Sequence, residues 1–291
     1  MSRSFTGADG NRLVASELGP PGRPVLLLHG GGQTRHAWTR TARRLAEERW
    51  HAVTLDQRGH GDSEWVADGA YAFADFGRDA AAVARQLAAE HGAKPVAVGA
   101  SLGGLASLYA LGEPGDPCFS GLVLVDIVPK MDERGVDHIQ NFMRARAKEG
   151  FASVNEAADA VAAYLPHRPK PSSLDGLKKN LRQGPDGRWR WHWDPRFLDG
   201  PRPVSTAWEE TERWLMDAVS HLPVPTLLVR GGSSELVTAA AAEEFLRLAP
   251  GAEYVDVAEA RHMVAGDRND VFAAAVLDFM QRRFAREPSV P

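Results

Sequence analysis

The chain reads as an α/β protein: a mostly parallel central sheet flanked by helices and interrupted by a mainly helical insertion. Three observations predict this. Short apolar runs alternate with longer amphipathic stretches along most of the 291 residues. Four of the six strongest runs are continuously apolar, as strands covered on both faces of a parallel sheet must be. The alternation then breaks between residues 128 and 222, where the sequence turns helical and loop-rich without a strong central strand.

Taken in order, "SFTGADGNRLVASELG" opens the chain as a hairpin around the Asp9-Gly10 turn. "PVLLLHG" (24–30), "AVTLD" (52–56), "KPVAVGA" (94–100), "GLVLVD" (121–126), "PTLLVRG" (225–231) and "AEYVDVA" (252–258) read as strands. Helices are expected over 36–49, 74–91, 102–111, 239–249 and 269–285. Within 74–91, Phe76, Ala80, Val83 and Leu87 recur at spacings of three and four, an amphipathic stripe. The β-α-β-α order implies a parallel sheet. The domain reading is a core in two parts, 1–127 and 223–291, with a helical cap over 128–222.

Bulk properties narrow the function. Apolar residues make up 44% and charged residues 25%, enough for a sizeable core. A formal net charge of −4 gives no reason to expect nucleic acid or an anionic membrane as partner. The single cysteine, Cys118, precludes an intrachain disulfide, fits a cytoplasmic setting and reads as a packed apolar residue. No apolar run follows the basic residue near the N-terminus, so no signal peptide is expected. No stretch approaches the length of a membrane span. The expected partner is a small molecule, and the oligomeric state is not legible.

"VAVGASLGG" carries the most chemistry. A strand ends at Gly99, Ser101 follows and a helix opens at Leu102, the G-x-S-x-G nucleophile elbow. The turn is sharp enough that the residues two before and two after the serine must lack side chains, hence Gly99 and Gly103. It presents the hydroxyl at the sheet's edge and the positive end of a helix. "LLLHGGGQT" supplies side-chain-free backbone after another strand. The N–H of Gly31, with Gly32 as the alternative, pairs with that of Leu102 as an expected oxyanion hole. His29 reads as a brace for that loop. Of ten histidines, His262 in "ARHM" follows the last strand and precedes the last helix, at the active edge of a parallel sheet. His60 lies in a glycine turn, and His138, His167, His192 and His221 fall in or beside the insertion; these have weaker claims. No His/Cys/Asp cluster has metal spacing and no phosphate loop appears, so neither metal nor cofactor is expected.

HGGG, "LDQRGHGDS" (55–63), "GASLGG" and "ARHM", in this order, resemble the α/β-hydrolase superfamily, in the group of cap-bearing, serine esterase-like members. The resemblance spans nearly everything outside 128–222 and is specific for fold and nucleophile, poor for substrate. "DQRGHGDS" is similar to a turn whose role is architectural, with Arg58 bracing it. Serine at position 101 argues against the cap-bearing haloalkane dehalogenases and epoxide hydrolases, which need a carboxylate there.

Two carboxylates compete for the acid. Members of the superfamily often carry aspartate three residues after a glycine beyond the later strand; from Gly231 that place is Ser234, and Glu235 is one later. Asp126 ends "GLVLVD". A subgroup of small bacterial esterases resembles this chain at both places, with "VDI-P" and "RGG-S"; there the aspartate serves the histidine and the serine supports it. A short aspartate anchored at a strand end is also better preorganised than a glutamate folding back from a loop. Asp126 is therefore preferred, with Ser234 supporting and Glu235 the rival.

The implied function is a serine hydrolase cleaving a carboxylic ester or lactone of a small to medium apolar substrate through an acyl-enzyme on Ser101. Carbon–carbon bond hydrolysis and cofactor-free perhydrolysis use the same triad. A ligand-binding receptor with a hydrolase shell is the alternative outside catalysis. In "RWRWHWDP" the rings of Trp189, Trp191 and Trp193 share one face if the segment is extended, either lining a pocket or gluing the cap to the core.

Overall fold

The computed structural model describes residues 2–166 and 173–284. Strands β1 (Ser2–Thr6), β2 (Arg12–Leu18), β3 (Pro24–Leu28), β4 (His51–Leu55), β5 (Val96–Ala100), β6 (Gly121–Val125), β9 (Thr226–Gly231) and β10 (Glu253–Val257) form an eight-stranded sheet. Its order is β1-β2-β4-β3-β5-β6-β9-β10. The opening hairpin pairs β1 with β2, and β2 with β4, antiparallel. From β4 onward every pairing is parallel.

The continuous apolar runs are explained by two-sided burial. Along β3, Val25 and Leu27 face one core, with Leu45, Phe272 and Phe279. Leu26 and Leu28 face the other, with Phe76, Val83 and Leu105. The first core lies under α1 (Thr39–Glu47) and α11 (Asn269–Phe284); the second under α2 (Phe73–His91) and α3 (Leu102–Gly112). Each such side chain removed from water contributes about 1.5–3 kcal/mol. Helix α9 (Ala239–Leu248) connects β9 to β10, and the short α10 (Val264–Asp267) precedes α11.

Between β6 and β9 the chain leaves the sheet. It forms α4 (Glu133–Arg144), α5 (Val154–Tyr164), α6 (Asp175–Lys178), a small antiparallel ribbon of β7 (Leu181–Gln183) and β8 (Trp189–Trp191), α7 (Arg196–Asp199) and α8 (Trp208–Ser220). The ribbon is too short to have produced a clear strand signal. Beyond it the chain is stitched to the loop after β4: Gly61 N–H donates to His192 O at 2.8 Å and Asp194 N–H to Gly59 O at 2.8 Å. Tyr71 Oη donates to the buried Asp194 at 2.6 Å. Helix α8 returns to the core layer, where Trp214 stacks on Tyr109 of α3 at 5.5 Å. Among the described residues no helix is long and apolar enough to cross a membrane.

Candidate active site

Ser101 stands between β5 and α3 with φ 47° and ψ −116°. For a residue with a side chain such a conformation costs about 1–3 kcal/mol and persists only when its surroundings impose it. The surroundings are crowded. A Cβ on Gly99 would lie 2.5 Å from the carbonyl of Gly103, and one on Gly103 would lie 2.3 Å from Leu28 O. Neither position has room for a side chain, because β5, β3 and α3 converge there.

Asp126 follows β6 directly and is fully buried. Its Oδ1 accepts the Gly231 N–H at 2.8 Å. Its Oδ2 accepts the Ser234 hydroxyl at 2.6 Å and His262 Nδ1 at 2.8 Å. Ser234 Oγ in turn accepts the N–H groups of Leu236 and Val237 at 3.1 and 3.0 Å. An ionised carboxylate only accepts, so His262 Nδ1 is the donor in this pair. His262 is thus held by Asp126 and not by Glu235, whose Oε2 is buried without a hydrogen-bond partner among the described residues. The loop after β9 supplies the aspartate's supports rather than the histidine's carboxylate.

The loop after β3 is set by two other histidines. His29 Nε2 accepts Gln57 N–H at 3.1 Å, so its Nδ1 donates to Gly30 O at 2.8 Å. His60 Nε2 accepts Gly32 N–H at 3.1 Å, so its Nδ1 donates to Arg58 O at 2.9 Å. Both rings are fully buried, and burial holds His29 down at about 4 and His60 at about 3. Gly30 N–H goes to Gln33 Oε1 at 3.1 Å. Among the described residues the N–H groups of Gly31 and Leu102 have no acceptor. Arg58 grips Asp79 with two bonds of 2.7 Å and reaches Asp9 and Ala70 O, a brace beneath the loop.

Ser101, Leu102, Gly31, Gly32 and His262 all line one cavity of about 880 Å³. Its walls are largely aromatic and aliphatic, including Trp38, Phe142, Trp191, Trp193, Phe197 and Trp208. Trp191 and Trp193 reach it; Trp189, third in the alternating series, does not line it and packs half-buried against the main core. His138 stacks on Tyr164 at 4.9 Å, and neither it nor His192 lines the cavity. His221 bonds back to Asp217 O, and His167 lies outside the described residues. Cys118 is buried, and burial pushes its thiol up to about 11. Sequence reasoning missed His60 as a partner of the glycine loop; its only signal was its place in "RGHGDS". Among the described residues no group of side chains has the makings of a metal site.

Comparison with known proteins identifies the family. The profile of the alpha/beta hydrolase family matches residues 25–275. The chain is 33% identical over 249 residues to Esterase Rv0045c of Mycobacterium tuberculosis, covering 84% of this chain and 78% of that one. It is 30% identical over 264 residues to 2-(acetamidomethylene)succinate hydrolase of Mesorhizobium japonicum, covering 88% of each. A crystal structure of E-2-(acetamidomethylene)succinate hydrolase superimposes with a TM-score of 0.78 at 26% identity, over 97% of this chain and 99% of that one. The chain belongs to the alpha/beta hydrolase family and is an enzyme of hydrolytic type.

Proposed function

We propose that the protein is a serine hydrolase that cleaves a carboxylic ester or lactone of an apolar substrate through an acyl-enzyme on Ser101. The observation that carries this is the 2.8 Å bond from His262 Nδ1 to buried Asp126, with His262 and Ser101 on the wall of one cavity. In this reading His262 Nε2 takes the Ser101 proton as the oxygen attacks the acyl carbon. The N–H groups of Gly31 and Leu102 receive the oxyanion, each worth roughly 3 kcal/mol of barrier. His262 then protonates the leaving alcohol, and water reverses the sequence to free the acid. Asp126 holds the productive tautomer, and Ser234 and Gly231 N–H hold Asp126. Gly31 is favoured over Gly32 because the Gly32 N–H is already taken by His60.

The mycobacterial relative's name supports ester chemistry, and the apolar wall supports an apolar acyl or alcohol group. Residues 128–222 act in this reading as the cap that shapes the cavity. The single cysteine fits a cytoplasmic setting. The test is a fluorophosphonate probe with peptide mapping, beside p-nitrophenyl ester turnover. The expected adduct is on Ser101, with both labelling and turnover lost in Ser101→Ala. Folded protein that leaves Ser101 unlabelled, or that hydrolyses esters equally well as Ser101→Ala, would sink the proposal.

A further inference from the structure

The cavity's charges are unevenly matched to the substrates that kinship suggests. One relative is named for a succinate derivative, an anionic class of ligand. The charged side chains on this cavity's wall, beside His262, are Lys130, Glu133, Asp137 and Glu212. Lys130 Nζ is already 3.4 Å from Glu244. Glu133 and Asp137 stand one helical turn apart on α4, and Glu212 one turn beyond Trp208 on α8. Among the described residues no arginine lines the cavity. Three arginines of the inserted segment are paired elsewhere, Arg190 with Asp186, Arg196 with Asp194 and Arg144 with Asp199. The neutral polar side chains of Gln33, Gln140, Asn180 and Ser205 also line the cavity and are suited to a carbonyl or ether oxygen.

We propose that this cavity takes uncharged esters and rejects those carrying a free carboxylate, unlike a succinate-type hydrolase. The proposal rests on the serine-hydrolase reading of the same site. Three carboxylates, Glu133 and Asp137 exposed and Glu212 half-buried, against one ammonium already paired repel an anion as it enters, and among the described residues no arginine on the wall is there to pair with it. The test compares p-nitrophenyl hexanoate, mono-p-nitrophenyl adipate and its methyl-masked diester, which separates charge from length. The expected kcat/KM for the free adipate is about tenfold or more below the other two at low salt. That gap narrows toward about 1 M salt, where the Debye length is about 3 Å. It also narrows in the triple variant Glu133→Gln, Asp137→Asn, Glu212→Gln. Free adipate turned over as fast as the masked ester overturns the charge proposal and leaves the hydrolase reading standing. No turnover of any ester defeats the hydrolase reading, and this proposal falls with it.

A separate observation carries a second inference. In a trans peptide the C=O and N–H point in opposite directions. His29 draws Gly30 O inward, which turns the Gly31 N–H outward; His60 holds the next N–H, that of Gly32, inward. The geometry points to His29 and His60 as positioning residues that present the Gly31 N–H to the cavity. The His60→Gln variant retains an amide oxygen able to accept the Gly32 N–H, whereas His60→Leu does not. Expected is a kcat loss of about tenfold or more in His60→Leu with KM little changed, largely rescued in His60→Gln. Since a buried histidine tolerates change poorly, nitrogen-15 shifts of the unmodified protein give an independent reading. They should show the His60 ring neutral, with Nε2 unprotonated, through pH 6. A ring that titrates near its ordinary value, or equal kcat in the two variants, overturns the assignment.

Discussion

Replacing Asp126 by asparagine tests the acid most directly, because its three donors leave the amide no good orientation. If the amide nitrogen takes the Oδ2 place, it faces His262 and Ser234. The ring must then offer a lone pair at Nδ1, which moves the proton to Nε2 and removes the base. Ser234 Oγ already accepts two backbone N–H groups, so its own proton is left without a partner. If the nitrogen takes the Oδ1 place, it confronts the Gly231 N–H across 2.8 Å in a fully buried site. Leaving a buried donor unsatisfied costs about 1–3 kcal/mol per group. The first arrangement keeps Gly231 satisfied and is preferred, at the wrong tautomer. A triad aspartate-to-asparagine change of this kind lowers kcat by about 10⁴. At about 1.36 kcal/mol per tenfold, that is about 5.5 kcal/mol of transition-state stabilisation. The assay is steady-state ester hydrolysis at pH 7, with circular dichroism to confirm folding. Glu235→Gln, whose carboxylate does not touch His262, is expected to stay close to wild type. A loss from Glu235→Gln equal to that from Asp126→Asn would refute the reasoning.

Ser234→Ala removes one charged hydrogen bond to Asp126, worth about 1.5–3 kcal/mol, and should reduce kcat by about tenfold or more, far less than Asp126→Asn. Gly103→Ala drives a Cβ to 2.3 Å from Leu28 O, between backbones that cannot yield separately. A loss of about 1–3 kcal/mol of unfolding free energy is expected, read as a lower urea midpoint. Stability also depends on pH through His29 and His60. Folded, they stay neutral down to about 4 and about 3; unfolded, each takes up a proton near 6.5. The unfolded chain therefore binds more protons, and stability falls as pH drops below 6.5 by about 1.4 kcal/mol per pH unit for each ring. Urea titrations between pH 7 and 5 should show this slope reduced in His60→Gln, and an unchanged slope would contradict it.

The sheet was legible because its strands are buried on both faces. Val25, Leu26, Leu27 and Leu28 are all apolar since two cores claim alternate residues. The elbow was legible because glycines at 99 and 103 are forced by contacts under 3 Å, and such constraints leave a fixed spacing in the chain. The choice between Asp126 and Glu235 was open to argument from strand ends and from the count that puts Ser234 after Gly231. The ribbon Leu181–Gln183 with Trp189–Trp191 was not legible: three residues a side carry no period long enough to read. Nor was the fate of the tryptophans. Alternation placed three rings on one face, but whether that face meets a cavity depends on which element covers it, a tertiary fact.

The histidines show where local sequence stops informing. His29, His60 and His262 carry the same side chain, in "LLLHGGG", "QRGHGDS" and "EARHM". What separates them is the acceptor offered to Nδ1 and the donor offered to Nε2. At His29 and His60, Nδ1 meets a neutral carbonyl and Nε2 is filled by a backbone N–H, so the ring is a fixed neutral link with no lone pair to spare. At His262, Nδ1 meets a carboxylate, and no backbone N–H among the described residues takes Nε2. A ring of that kind can accept a proton and be stabilised as it does so, because Asp126 gains an ion pair at the moment the imidazole becomes charged. The partner that fits His262 for its proposed role as base is a carboxylate 136 positions earlier in the chain, delivered by β6 to the same sheet edge. No window of sequence around "ARHM" contains that carboxylate, which is why the proposed base was argued from its place in the fold order and its partner only by weighing two distant candidates.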